Sequence, residues 1–183
     1  LKSCLNYILW FTLLNLFSSC NRYIVTIVAP ILFGLDLYVL LNRAEFFTVL
    51  ITITITEVIW KFIYPTLTKL NHEDQKKLMS KIFKIYYISF LPYFLFLKYF
   101  SYIIIYYIID SNWRGAIKYT DYFALFSTLI IYSSICSIIL TANGKVKHLF
   151  INNVIASVIS LIICYMLFDY SKELTLPLYL YLL

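Results

Sequence analysis

Charge is scarce in this chain, and so are the residues on which most soluble chemistry depends. Only 13% of its 183 residues are Asp, Glu, Lys or Arg, and there are three glycines, two histidines and two methionines. Soluble domains carry about 25% charged residues, so this chain has too little polar surface to face water on all sides. With so little glycine there is no P-loop, no Gly-rich dinucleotide fingerprint and no Gly-x-Ser-x-Gly elbow. The two histidines, His72 and His148, sit near lysines in hydrophilic stretches and form no His/Glu metal cluster. The four cysteines, Cys4, Cys20, Cys136 and Cys164, lie in apolar segments with neither CxxC nor His-Cys spacing. That pattern points to small buried side chains, with no metal, disulfide or cofactor role.

What is abundant is apolar: 62% hydrophobic and 20% aromatic residues, with a mean hydropathy of +0.84. A bilayer core about 30 Å thick takes roughly 20 apolar residues of helix per crossing, and several runs are that long. A β-barrel would need apolar/polar alternation, which solid runs such as Leu125 to Leu140 lack. The expected fold is therefore all-α integral membrane, a single bundle of about five or six transmembrane helices. The net charge of +6 comes from lysines in short hydrophilic connections, which is a topology signal and not a nucleic-acid footprint.

The sequence predicts helices near residues 5–29, 36–64, 85–109, 122–140 and 149–168, with a sixth, incomplete one over 174–183. Pro30 and Gly34 supply the first break, Pro65 the second, and Asn143-Gly144 the stop before Lys145. Residues 66–84, with Lys69, Lys76, Lys77, Lys81 and Lys84, form the largest expected connection, a cytoplasmic loop. Asp110 to Asp121 is expected as a polar turn on the other side. Two helices, not three, are expected in the first 64 residues. The alternation Ile51-Thr-Ile-Thr-Ile-Thr56 reads as helix, because lipid forces backbone bonds to close within the segment. The absence of an initiator Met and the apolar run at the end are expected of a piece of a larger protein.

Ionisable residues inside spans carry the most information, since a charge at mid-bilayer costs at least about 2.5–3.5 kcal/mol on insertion scales. Arg22 lies about 25 Å along a helix starting near Leu5. Its guanidinium either makes a forked phosphate contact or snorkels to the interface. Glu57 precedes Lys61 by four residues, so the two share a face and can pair. Glu57 is expected to face the protein interior, as a coupling carboxylate or as a paired structural charge. Arg43 and Glu45 mark a helix end or a cavity mouth, and Lys98 among Tyr93, Tyr99 and Tyr102 an interfacial anchor.

Several short segments occur in a suggestive order: Asn21-Arg22-Tyr23-Ile24, then Gly34 and Tyr38, then Tyr64-Pro-Thr-Leu-Thr-Lys-Leu70, Ile103 to Ala124, and Ile139-Leu-Thr-Ala-Asn-Gly-Lys145. This order resembles the C-terminal half of a bacterial polysaccharide flippase, the Wzx-type O-antigen or capsule transporters of the multidrug/oligosaccharidyl-lipid/polysaccharide superfamily. Two positions depart from it. Asn21 stands where an acidic residue is common, and Asp110-Ser-Asn112 lacks the usual Gly.

The resemblance implies two MATE-like six-helix halves around a central cavity, this chain being the second. It would move a lipid-linked oligosaccharide on an isoprenoid diphosphate across the bacterial inner membrane. Membrane lipid would surround it, and a polysaccharide polymerase and glycosyltransferases would be partners, with no nucleic acid. Arg22 is the first candidate for phosphate contact, with Asn21 beside it and Arg43 and Lys61 behind. Glu57 would be the coupling or structural carboxylate. A drug or cation antiporter of the same superfamily would want acidic cavity groups instead. A membrane polysaccharide polymerase or acyltransferase would want a long external loop or an outward histidine.

Overall fold

The computed structural model describes residues 2–109 and 111–167. Its elements are all helical: α1 (Lys2–Phe33), α2 (Leu35–Lys69), α3 (His72–Ile103), α4 (Ile117–Ala142) and α5 (Val146–Leu167). A π-helical turn, Ile104–Ile108, and a 3-10 helix, Ser111–Ala116, stand between α3 and α4. Asp110, the connection at 169–173 and the expected sixth helix from Leu174 lie outside the described residues. Three stretches, Leu35–Lys69, His72–Ile108 and Ser111–Ala142, are long and apolar enough to cross a membrane. Large apolar side chains such as Ile8, Phe62, Ile88, Leu129 and Ile155 stand exposed on all five helices. Such a surface is costly in water and at home in hydrocarbon.

Most helix hydroxyls are satisfied, while the buried Ser101 and Tyr119 hydroxyls have no hydrogen-bond partner among the described residues. Along α2 the hydroxyls of Thr48, Thr52, Thr54 and Thr56 donate to carbonyls three or four residues back, at 2.8 to 3.1 Å. The Ile/Thr alternation therefore folds as helix, with each hydroxyl satisfied inside the segment.

Chain reversals differ from the expected ones in instructive ways. Pro30 and Pro65 do not end their helices; α1 runs on to Phe33 and α2 to Lys69. α1 stops because Gly34 takes φ +91°, a conformation costly for any side chain, while its N–H still reaches the Pro30 carbonyl at 3.0 Å. The stretch 66–84, expected as a loop, is helical except at Leu70 and Asn71. Two side chains make so tight a reversal possible. Asn71 Oδ1 accepts from the Asp74 N–H at 2.9 Å and caps α3. Gln75 Nε2 donates to the Leu67 and Leu70 carbonyls at 2.8 and 3.2 Å and caps α2. The expected polar turn at 110–121 shrinks in the same way, since α4 already begins at Ile117. Single helices run through Asn21-Arg22 and through Asn42 to Glu45.

Two compact units result: residues up to Val39 with those from Gly144 onward, and Leu40–Asn143. In the first, α1 lies along α5. Trp10 and Phe17 both meet the Phe150 ring, and Asn21 meets Ser157, so the two helices run in the same direction.

In the second unit α3 lies antiparallel along α4. The Lys98–Asp121 ion pair at 2.7 Å and a Tyr86 hydroxyl donating to the Thr128 carbonyl at 3.1 Å fix their register. α2 joins through the Thr52–Tyr93 hydroxyl pair at 2.9 Å and through the Trp60 indole, which donates to Ser134 Oγ at 3.0 Å. At one end of this unit small buried residues, Ala44, Thr48 and Thr52 on α2 and Thr120, Ala124, Ser127 and Thr128 on α4, pack among larger ones, Leu41, Leu97, Ile105, Tyr119 and Phe123. At the other end, the tip of the α2–α3 hairpin, Leu67, Met79, Ile131, Ile135 and Ile138 form an apolar cluster.

Candidate functional site

Between the Thr52–Tyr93 contact and the tip cluster, isoleucines of α2, α3 and α4 face a common space. A cavity of about 350 Å³ remains there, walled by Ile55, Ile59 and Ile63, by Ile82, Tyr86 and Tyr93, and by Ile131 and Ile135. No charged residue lines it. The Tyr93 and Tyr86 hydroxyls are already engaged, with Thr52 and with the Thr128 carbonyl. Such a cleft can hold a hydrocarbon chain and offers little to a polar ligand.

A second cavity, about 230 Å³, lies at the end of the unit away from the hairpin tip, lined by Arg43, Phe47, Ile105, Ile109, Trp113 and Ala116. The Arg43 guanidinium carbon sits 4.9 Å above the Trp113 ring centroid. Arg43 is itself exposed, so its N–H donors can meet an oxyanion arriving from outside while the charge rests on the ring. Among the described residues no carboxylate pairs with Arg43. Arg114 stacks in the same way on Tyr106 at 4.8 Å, and Lys118 lies over Tyr119 at 4.8 Å, so cations resting on aromatic faces surround this end.

The other expected site residues are placed differently. Glu57 and Lys61 do pair, at 3.7 Å, but their side chains are 63% and 74% exposed. Glu57 thus lies on the outer face of α2, and the expectation that it faces the interior is corrected. The inward face of this part of α2 belongs to Ile55, Ile59 and Trp60. Arg43 and Lys61, 18 residues apart on one helix, are separated by about 27 Å and do not share a site. Asn21 donates from Nδ2 to Ser157 Oγ at 2.9 Å, a bond between helices. Arg22 is exposed on α1, in the other unit from Arg43 and Lys61.

Cys4 and Cys20 are exposed and Cys136 is half-buried, all free. For Cys4 and Cys20 the expected buried position is corrected, since a small apolar side chain facing lipid need not be inside the protein; the Cys164 side chain lies outside what the structure describes. No three His, Cys, Asp or Glu side chains cluster as a metal site among the described residues.

Sequence reasoning treated Trp113 only as part of a turn. Its partner is 70 positions away, and no local pattern marks the pair. No family model, no curated protein and no solved structure matches the chain.

Proposed function

We propose that this chain is part of a transporter that moves a lipid-linked oligosaccharide, on an isoprenoid diphosphate, across a bacterial inner membrane. The observation that carries the reading is the Arg43–Trp113 cavity. There a permanently charged guanidinium over an indole ring lines a pocket at the end of a unit whose helices are long and apolar enough to cross a membrane. A diphosphate leaving water needs compensating charge, and an arginine supplies it without a titration step.

The uncharged cleft among α2, α3 and α4 supports the same substrate class, since an isoprenoid chain needs an apolar path. From Arg43 to Ile55 is about 18 Å along α2, within reach of a long prenyl chain whose diphosphate rests at Arg43. The parallel run of α1 and α5 is the direction required if each helix between them crosses once. These helices would form most of one six-helix half, and alternating access against the other half would carry the headgroup across. An antiporter for drug cations is less well served, because no carboxylate lines either cavity.

The test is complementation of a flippase-deficient bacterium with the full-length gene, reading surface polysaccharide. Wild type is expected to restore it, Arg43→Gln to lose at least about tenfold, the cost of one charge-assisted contact, and Arg43→Lys to fall between. Unchanged export by Arg43→Gln at equal membrane level would overturn the assignment of Arg43. Failure of the wild type with several polysaccharide classes would overturn the substrate.

A further inference from the structure

Three features outside the candidate site stand out: the capped hairpin tip, the ring-stacked cations at the opposite end, and a regular stripe on the outer face of α3. The stripe carries furthest. Lys77, Lys81, Lys84, Ile88, Leu91, Leu95, Lys98 and Tyr102 follow one another at spacings of four and three residues, which keeps them on one helix face. The face is open: Ile88 is 77% and Leu91 61% exposed, and Lys77, Lys81 and Lys84 are exposed. From Lys84 to Lys98 is about 21 Å of helix and from Lys81 to Lys98 about 26 Å, close to the roughly 30 Å of a hydrocarbon core. The aliphatic middle of the stripe is therefore lipid-facing, and its lysines stand where α3 leaves the hydrocarbon.

We propose that Lys81 and Lys84 form a headgroup site for an anionic phospholipid of the surrounding bilayer, with Lys77 at its outer edge. Whatever meets these two ammonium groups must be continuous with whatever covers Ile88 and Leu91. An amphiphile with an anionic head and hydrocarbon tails satisfies both at once. Among the described residues neither lysine has a carboxylate partner, whereas Lys77 is engaged with Asp74 at 3.5 Å. On α2, counting back from the Leu70–Asn71 reversal, Lys61 stands level with Ser80 and Glu57 with Lys84. Those two neutralise each other, so the excess positive charge at this height belongs to α3. The bound headgroup would hold the tip end of the α2–α3 hairpin at a fixed depth. This proposal does not depend on what the protein transports.

The full-length protein, purified in a zwitterionic detergent, is titrated with phosphatidylglycerol and phosphatidylcholine, and bound lipid is counted by native mass spectrometry. Phosphatidylglycerol should be preferred by roughly fivefold for each engaged lysine, the size expected of a basic residue at an anionic surface. The preference should shrink as salt is raised. Lys81→Gln with Lys84→Gln should bring it toward unity, the paired arginine replacements should keep it, and Lys69→Gln, off the stripe, should leave it unchanged. A wild-type protein with no preference, or a glutamine variant that retains it, overturns the site. If the glutamine variant does not survive purification, a wild-type preference indifferent to salt overturns it equally.

Discussion

Asn21 of α1 donates from Nδ2 to Ser157 Oγ of α5 across 2.9 Å, and that bond sets the register at which the two helices run side by side. The surrounding contacts are apolar and adaptable, with Trp10 and Phe17 against Phe150. Rings of this kind tolerate sliding, whereas a hydrogen bond between short side chains does not. Asn21 was one of the residues expected to touch substrate, and its position between two helices gives it a structural task.

Replacing Ser157 by Ala or Asn21 by Ala should each cost about 0.6 kcal/mol, with an upper bound near 1.7, the range measured for hydrogen bonds between membrane helices. A double-mutant cycle on reversible unfolding in mixed micelles should return a coupling of the same size. A coupling indistinguishable from zero would remove the register role. Because the bond is distant in sequence from any proposed substrate contact of α2, export by Ser157→Ala should stay near wild type.

Glu57 and Lys61 lead to an expectation opposite in kind. Their exposed, i to i+4 contact at 3.7 Å is worth only about 0.3–0.5 kcal/mol. Glu57→Gln should therefore change stability by less than about 0.5 kcal/mol, and polysaccharide export should persist at any external pH the cells tolerate. Loss of export in this variant, with normal membrane insertion, would restore Glu57 as a coupling carboxylate.

Two glycines test the helix reversals. Gly144, with φ +70°, ends α4 in open space, so a methyl group there meets no atom but forces a left-handed backbone. Gly144→Ala should cost about 1–2 kcal/mol. Gly115 has an ordinary φ, and a Cβ there would meet Leu40 Cδ1 at 3.5 Å, a normal contact. Gly115→Ala should be within about 0.5 kcal/mol of wild type. Thermal unfolding of both variants under one detergent condition separates the two cases.

The helical fold was legible because its cause is compositional: long runs such as Leu125 to Leu140 admit no other structure in lipid. Gly34 and Asn143-Gly144 were readable as breaks for a local reason, the positive φ that only glycine takes easily. The reversal at Leu70–Asn71 was not, because lysine density over 66–84 looks like a solvated loop. What decides otherwise is a pair of caps, Asn71 and Gln75, whose effect depends on both helix ends being present. Proline misled for a similar reason. A missing N–H inside a helix costs one bond, and α1 and α2 carry Pro30 and Pro65 without stopping. Of the candidate site, the charges were visible and their neighbours were not. Arg43 was named from its type and depth, but its stacking on Trp113 requires a contact across 70 residues. Glu57 was assigned the wrong face because a single helix drawn from sequence has no inward direction until α3 and α4 are placed.

The packing of α2 against its neighbours buries Ala44, Thr48 and Thr52 completely, and it can be broken in two distinguishable ways. Ala44 has no exposed surface, so Ala44→Leu must push three extra carbons into space already filled. Overpacking of this sort costs about 1–3 kcal/mol and should open this end of the unit. Thr52→Val keeps the volume and removes only the hydroxyl that meets Tyr93 at 2.9 Å. The Tyr93 hydroxyl then loses its partner beside an apolar cleft, at a cost of about 1 kcal/mol. Tyr93→Phe in the Thr52→Val background should recover part of that loss, because two apolar groups suit the site better than one stranded hydroxyl. The measurement is the unfolding free energy of the four proteins in the same micelle. If Ala44→Leu proves as mild as Thr52→Val, the buried position of Ala44 is not tightly packed and α2 is held mainly by its polar contacts.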